Sequence, residues 1–98
     1  MHRYQILMEY VGTNFYGWQY QKKQITVQGT VEKTLKKILK EKVKLYGSGR
    51  TDSKVHAIEQ SAHFDVKNKI NNIKKFFNTL NFFLNGKFIT VVKIKKRP

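Results

Sequence analysis

Polar and apolar residues alternate along the first stretch of the chain. From Arg3 to Tyr10, Tyr4, Ile6, Met8 and Tyr10 fall on one side, and Arg3, Gln5, Leu7 and Glu9 on the other. A period of two predicts a half-buried strand. From Val27 the period lengthens. Val27, Val31, Leu35, Ile38 and Leu39 share one face at helical spacing, while Lys33, Lys36, Lys37 and Lys40 lie largely away from it. This predicts a helix over 27–40, with Thr26 as its N-cap. A short strand follows over 42–46 with Val43 and Leu45 inward, then a polar, glycine-rich turn over 47–54. Alternation resumes over 55–66: Ile58, Gln60, Ala62, Phe64 and Val66 share one face, and Glu59, Ser61, His63 and Asp65 the other. A second helix is expected over 69–84 on Ile70, Ile73, Phe77, Leu80 and Leu84, with Phe76 and Phe83 beside the stripe. Asn85-Gly86 is a helix stop, and a last strand is expected over 87–95. The order β-α-β-β-α-β predicts an α+β, ferredoxin-like domain: a four-stranded antiparallel sheet with two helices on one face. The other face, or one edge, stays available.

Composition narrows the function classes. A chain of 98 residues has room for one domain. With 40% hydrophobic and 13% aromatic residues it can pack a core, which excludes a disordered basic tail. It has no cysteine, so a disulfide scaffold, a Cys-ligated zinc site and a thiol nucleophile are excluded. No apolar run reaches the ~18 residues of a membrane span. Met1-His2-Arg3-Tyr4 lacks the layout of a signal peptide. No membrane association and a cytoplasmic location are the expectation. The net charge of +14 is the footprint of a nucleic-acid binder, with salt-sensitive affinity for phosphates. Compositional drift toward Lys, Asn and Ile, as in an AT-rich genome, inflates that charge. The lysines are spread along the whole chain and do not mark a site by themselves.

Two segments carry candidate chemistry. Gly47-Ser48-Gly49-Arg50-Thr51-Asp52 combines backbone freedom with an arginine two residues from an aspartate. An arginine nearby favours the ionised carboxylate that a nucleophile or base requires. The competing reading is a plain turn in which Asp52 bonds backbone amides. The Gly-Lys-Ser/Thr ending of a Walker-type phosphate loop is absent. The second segment, Thr13-Asn14-Phe15-Tyr16-Gly17-Trp18-Gln19-Tyr20-Gln21, interleaves aromatics with amides, groups that stack on bases and read their edges. For Trp18 the better reading is a ring folded into a satellite of the core. Asp65 reads as solvated. His2, His56 and His63 lack metal-ligand spacing, and His56 reads as a structural histidine that could assist the Asp52 segment.

Gly49-Arg50-Thr51-Asp52-Ser53-Lys54-Val55-His56-Ala57 closely resembles the Gly-Arg-Thr-Asp-Ala-Gly-Val-His-Ala signature of the TruA family of tRNA pseudouridine synthases. Further similarities follow in family order. Glu9-Tyr10-Val11-Gly12-Thr13-Asn14-Phe15-Tyr16-Gly17-Trp18-Gln19 resembles Tyr-Asp-Gly-Thr-x-Phe-x-Gly-Trp-Gln, Thr26-Val27-Gln28 resembles Thr-Val-Gln, and Gln60-Ser61-Ala62-His63-Phe64-Asp65 resembles Gln-Val-Ala-His-Phe-Asp. The resemblance implies isomerisation of uridine to pseudouridine in the tRNA anticodon stem-loop, at positions 38 to 40, without cofactor or metal. It implies Asp52 as the catalytic residue and Arg50 as its partner, which helps to hold a flipped-out nucleotide. Thr51, Lys54, His56 and Gln19 are the further candidates for RNA contact.

Three departures from the family pattern stand out. Val11 occupies the aspartate position of the first motif, and Ser53-Lys54 replaces Ala-Gly after Asp52. The family enzyme has two α/β halves and acts as a homodimer, so this chain is expected to correspond to the N-terminal, Asp-bearing half, 1–98, and to need the second half or a second copy. The alternatives to a working synthase are a non-catalytic RNA-binding half-domain and an inactive truncated product.

Overall fold

The computed structural model describes residues 1–52 and 57–98. Its elements are β1 (His2–Val11), a 3-10 turn (Gly12–Asn14), α1 (Val27–Leu39), β2 (Leu45–Asp52), β3 (Ala57–Val66), α2 (Ile73–Leu84) and β4 (Ile89–Arg97). The four strands form one antiparallel sheet in the order β2-β3-β1-β4. This is the expected ferredoxin-like α+β arrangement.

The alternation read in β1 and β3 is the one that is buried. Tyr4, Ile6, Met8 and Tyr10 face the core from β1, and Ala62, Phe64 and Val66 from β3. Tyr4 and Phe64 sit opposite one another and stack, with ring centroids 5.9 Å apart. Val27, Val31 and Leu35 of α1 and Phe76, Leu80 and Leu84 of α2 close the core from above. Burying such side chains stabilises by roughly 1.5–3 kcal/mol each. On the opposite face Arg3, Gln5, Leu7 and Glu9 pair across strands with Asp65, His63, Ser61 and Glu59.

Both helices start on side-chain caps. Thr26 Oγ1 accepts the Gly29 amide at 3.1 Å, as expected. The second helix begins at Ile73 rather than near Lys69. Asn72 Oδ1 caps it by accepting the Lys75 amide at 3.0 Å. Ile70 is buried ahead of the helix, where its amide donates to Tyr4 Oη at 2.9 Å. Its helical spacing to Ile73 thus reflects a shared core, not a shared helix.

The largest correction concerns 47–54. The glycine-rich segment is not a turn from Gly47 onward. Gly47 to Asp52 continues β2, pairing with β3 from Gly47↔Ala62 to Asp52↔Ile58. Ser48 is the extra residue of a bulge between Gly47↔Ala62 and Gly49↔Ser61, and its Oγ donates to the Ser61 carbonyl at 3.1 Å. The first strand position assigned from sequence, Lys42, precedes β2 by three residues. β4 begins two residues later than expected, at Ile89, because Gly86 and Phe88 adopt positive φ angles of 84° and 64° and turn the chain first.

Candidate active-site end of the sheet

β1 and β2 run parallel on either side of β3, so their C-terminal ends meet at one end of the sheet. The register there is a continuous row: Asp52 opposite Ile58, Ile58 opposite Tyr10, and Tyr10 opposite Ile89. Thr51 and Arg50 pair one and two rows further in, Thr51 with Glu59 and Arg50 with Gln60. The backbone therefore sets the Arg50-Thr51-Asp52 segment beside the exit of β1, where the aromatic loop begins. Lys54 and His56 lie outside the described residues.

The loop that leaves β1 is anchored at close intervals. At Gly12 an added Cβ would sit 2.9 Å from Ile58 Cδ1, so the 3-10 turn is pressed against the residue opposite Asp52. Phe15 meets the Tyr10 ring edge-on, with centroids 6.0 Å apart. The Tyr16 amide donates to the Ile25 carbonyl at 2.8 Å, which closes the loop on itself. The Val27 and Gln28 amides, orphaned donors at the start of α1, are taken by the carbonyls of Gly17 and Trp18 at 3.2 and 2.9 Å.

A side-chain chain then ties this loop to β2. Gln28 is 8% exposed. Its Oε1 accepts the Tyr20 amide at 2.9 Å, and its Nε2 donates to Glu32 Oε2 at 2.9 Å. The same carboxylate oxygen accepts the Leu45 amide at 2.8 Å, at the first residue of β2. Loop, helix and strand are thus joined by three hydrogen bonds through two side chains. Trp18 completes the joint as a half-buried ring packed against the core, the satellite role expected of it. A Cβ added at Gly47 would lie 3.0 Å from both Trp18 Nε1 and Gln60 Nε2. Gly47 is a glycine because the indole passes over its backbone.

This arrangement offers chemistry a definite platform: an Arg-x-Asp segment at a strand end, one strand away from a loop that helix α1, the buried Gln28 and the part-buried Glu32 hold in place. The profile of a family described as tRNA pseudouridine synthase matches residues 6–98. The chain belongs to the tRNA pseudouridine synthase family. It is 58% identical over 97 residues to tRNA pseudouridine synthase A of Pelagibacter ubique, covering 99% of this chain and 39% of that protein. To the protein of the same name from Brachyspira hyodysenteriae it is 40% identical over 98 residues, covering 100% of this chain and 39% of the relative. For Neorickettsia sennetsu the identity is 41% over 93 residues, covering 95% and 38%. The chain thus spans about two fifths of the length of these relatives.

For a member of the synthase family, the surroundings of the platform are simple. Gln19 is exposed beside Trp18 and lines an open groove along β2. Among the described residues no group of three or more His, Asp or Glu could hold a metal ion, and no helix is long and apolar enough to cross a membrane. Asp65 is not simply solvated, as its position near a strand end suggested. Arg3 holds it by two bonds, Nε to Oδ1 at 2.9 Å and Nη2 to Oδ2 at 3.1 Å. That hydrogen-bonded guanidinium keeps the Asp65 carboxyl below the usual carboxylate range. The pair forms because β1 and β3 place Arg3 opposite Asp65, a juxtaposition 62 residues apart in sequence.

Sequence reasoning passed over Gln28, Glu32 and Gly47 as supports of the site. A signal for Glu32 was present: it is the single acidic residue in α1, among Lys33, Lys36 and Lys37. A lone carboxylate in a basic helix invites the question of what it holds.

Proposed function

We propose that this chain is the Asp52-bearing half of a tRNA pseudouridine synthase that isomerises uridine in the anticodon stem-loop, at tRNA positions 38 to 40, with Asp52 as the catalytic carboxylate and Arg50 as its partner. The observation that carries the reading is the Gly49-Arg50-Thr51-Asp52 segment at the end of β2, in register with the exit of β1 and its anchored loop. In the isomerisation the glycosidic bond breaks, the uracil rotates, and a carbon–carbon bond to the same sugar forms. A stacked uridine hides its glycosidic bond, so the nucleotide is flipped out before a side chain can reach it. A closed pocket keeps the detached base from being lost. Thr51, Lys54, His56 and Gln19 are the residues proposed to contact the RNA around it. A net charge of +14 supports a polyanionic substrate, and such an enzyme works in the cytoplasm.

Half a cleft leaves a nucleotide poorly oriented, and a misplacement of ~1 Å can cost about 100-fold in rate. The chain's 39% share of its relatives' length supports a second reading for the chain taken alone: an RNA-binding half that needs the second half, or a second copy, for turnover.

The test is pseudouridine formation on an unmodified tRNA transcript, with Asp52→Ala in parallel, by the chain alone and after addition of the remaining length of a relative. Turnover abolished by Asp52→Ala is the expected result. Turnover that survives the substitution would overturn the assignment of Asp52. A folded chain that binds the transcript, and turns over only with the added half, would establish the second reading.

A further inference from the structure

β2 is an edge of the sheet, and its outer flank is not bare. An open groove of about 960 Å³ runs along it, between the Trp18–Tyr20 loop and residues 42–47. Two tyrosines stand exposed in its walls, Tyr20 at 56% and Tyr46 at 45%. Tyr46 is not a loose ring. It stacks on His63 of β3, with centroids 5.2 Å apart and planes 17° from parallel. Lys44 Nζ lies 5.3 Å from the centre of the same ring, and Lys42 stands on the same rim. The one carboxylate among the described residues of the groove, Glu32, is already engaged by the Leu45 amide and by Gln28.

We infer that this groove seats the single-stranded RNA next to the target nucleotide, with bases stacking on Tyr46 and Tyr20 and phosphates held by Lys42 and Lys44. The inference rests on the proposed action on tRNA and adds a binding surface to it. Three features of the groove point to RNA. Exposed aromatic rings beside lysines are what sequence-tolerant single-strand binding uses. A ring already stacked on a neighbour loses little freedom when a base extends the stack, which lowers the cost of binding. The groove also lies along the strand that carries the catalytic segment. Gly47 is five residues from Asp52, about 17 Å along β2, a distance that a short run of unstacked nucleotides spans. The Gln28–Glu32 chain acquires a second purpose in this arrangement. It fixes the separation of the two walls, because it bonds Tyr20 on one side and Leu45 on the other.

The experiment measures binding of a fluorescently labelled, unmodified tRNA transcript by anisotropy over a range of salt concentrations. The chain is compared with Tyr46→Ala, Tyr20→Ala and the Lys42→Ala/Lys44→Ala double variant. Each tyrosine variant is expected to weaken binding about tenfold, since stacking accounts for that much per base. The double lysine variant is expected to lower the slope of log affinity against log salt by about two. Tyr46→Phe should bind as the parent does. Phe82→Ala provides a control, because Phe82 is 74% exposed on α2 away from the groove and its loss should change nothing. If Tyr46→Ala melts early through loss of the His63 stack, Lys42→Glu reports on the same rim while the Tyr46 ring and its Lys44 contact stay in place. Parent binding that all groove variants retain would overturn the groove and leave the proposed function standing. Failure of the parent itself to bind the transcript would overturn both. Groove variants that change only self-association in sedimentation, with RNA affinity intact, would show that a second copy of the chain takes the edge, and would overturn the inference.

Discussion

The two helix-to-strand crossovers of this fold solve one problem in two ways. In each, a polar side chain on the helix reaches the backbone of the strand that follows. After α2 the device is closed and neutral: Asn81 Oδ1 accepts the Val91 amide at 2.8 Å, and its Nδ2 donates to the Val91 carbonyl at 2.9 Å. One side chain satisfies both groups of one residue, and nothing further is attached. After α1 the device is charged and extended. Glu32 takes the Leu45 amide and passes the connection through Gln28 to Tyr20. The difference shows where the fold has been adapted. The α2 crossover only docks a strand, whereas the α1 crossover docks a strand and positions the loop that leaves β1. A shared architecture thus ties three segments together in one half and two in the other.

Substitutions that remove each device should separate these roles. Glu32→Ala is expected to have the largest effect. It strands the Leu45 amide and the Gln28 side chain, each at a cost of about 1–3 kcal/mol if left unpaired. Chemical denaturation should show a loss of about 2–6 kcal/mol by that reckoning. RNA binding should fall further than the unfolded fraction explains. Asn81→Ala strands the Val91 amide and carbonyl and should cost a comparable amount of stability by the same reckoning, but the RNA affinity of the folded molecules should be unchanged. Equal damage to binding by both variants would erase the distinction between the crossovers.

The helix caps sharpen the comparison at smaller scale. Thr26 is 1% exposed and its hydroxyl caps α1 next to the loop, while Asn72 caps α2 in the open. Thr26→Ala should cost about 1–2 kcal/mol and Asn72→Ala about 0.5–1, read from thermal melts. The smallest effect belongs to Arg3–Asp65, on the face away from both helices. The Asp65 carboxyl is held below its ordinary value in the folded chain, so its contribution is complete above the unfolded carboxylate range near 3.9 and is lost as pH falls through and below it. The pair is exposed, 49% and 29% at its side chains, and water weakens it. Comparing melts of the parent and Asp65→Asn at pH 7 and pH 3 should show a slight difference at pH 7 that shrinks at pH 3.

Much of the fold was legible because one pattern had one cause. In β1 and β3, alternation arises from a core on one face and polar cross-strand pairs on the other, so the period of two and the buried set coincide. The α1 cap and stripe were legible for the same reason. Where a residue type served a neighbour distant in sequence, the reading failed. Gly47 and Gly49 suggested a turn, but Gly47 makes room for Trp18, and the strand continues through it. Ile70 joined a helical stripe by spacing, yet it is buried through the Tyr4 hydroxyl outside the helix. Asp65 read as solvated because its partner lies on another strand. The motif residues of the candidate site were proposed by resemblance. Their supports, Gln28 and Glu32, were not, because what they hold is backbone from two other segments.

The sheet order also has a consequence in time. β1 lies between β3 and β4, so the first strand made pairs only with strands made late, and its last neighbour spans Ile89–Arg97. A chain emerging residue by residue from a ribosome can form α1 early, but β1 must wait until nearly all of these residues are out before both its edges are covered. Folding of such distant pairings is slow and leaves apolar strand surface exposed meanwhile. For a chain with twenty lysines and arginines, that interval passes beside the ribosome's own RNA, with its charge in place before its structure.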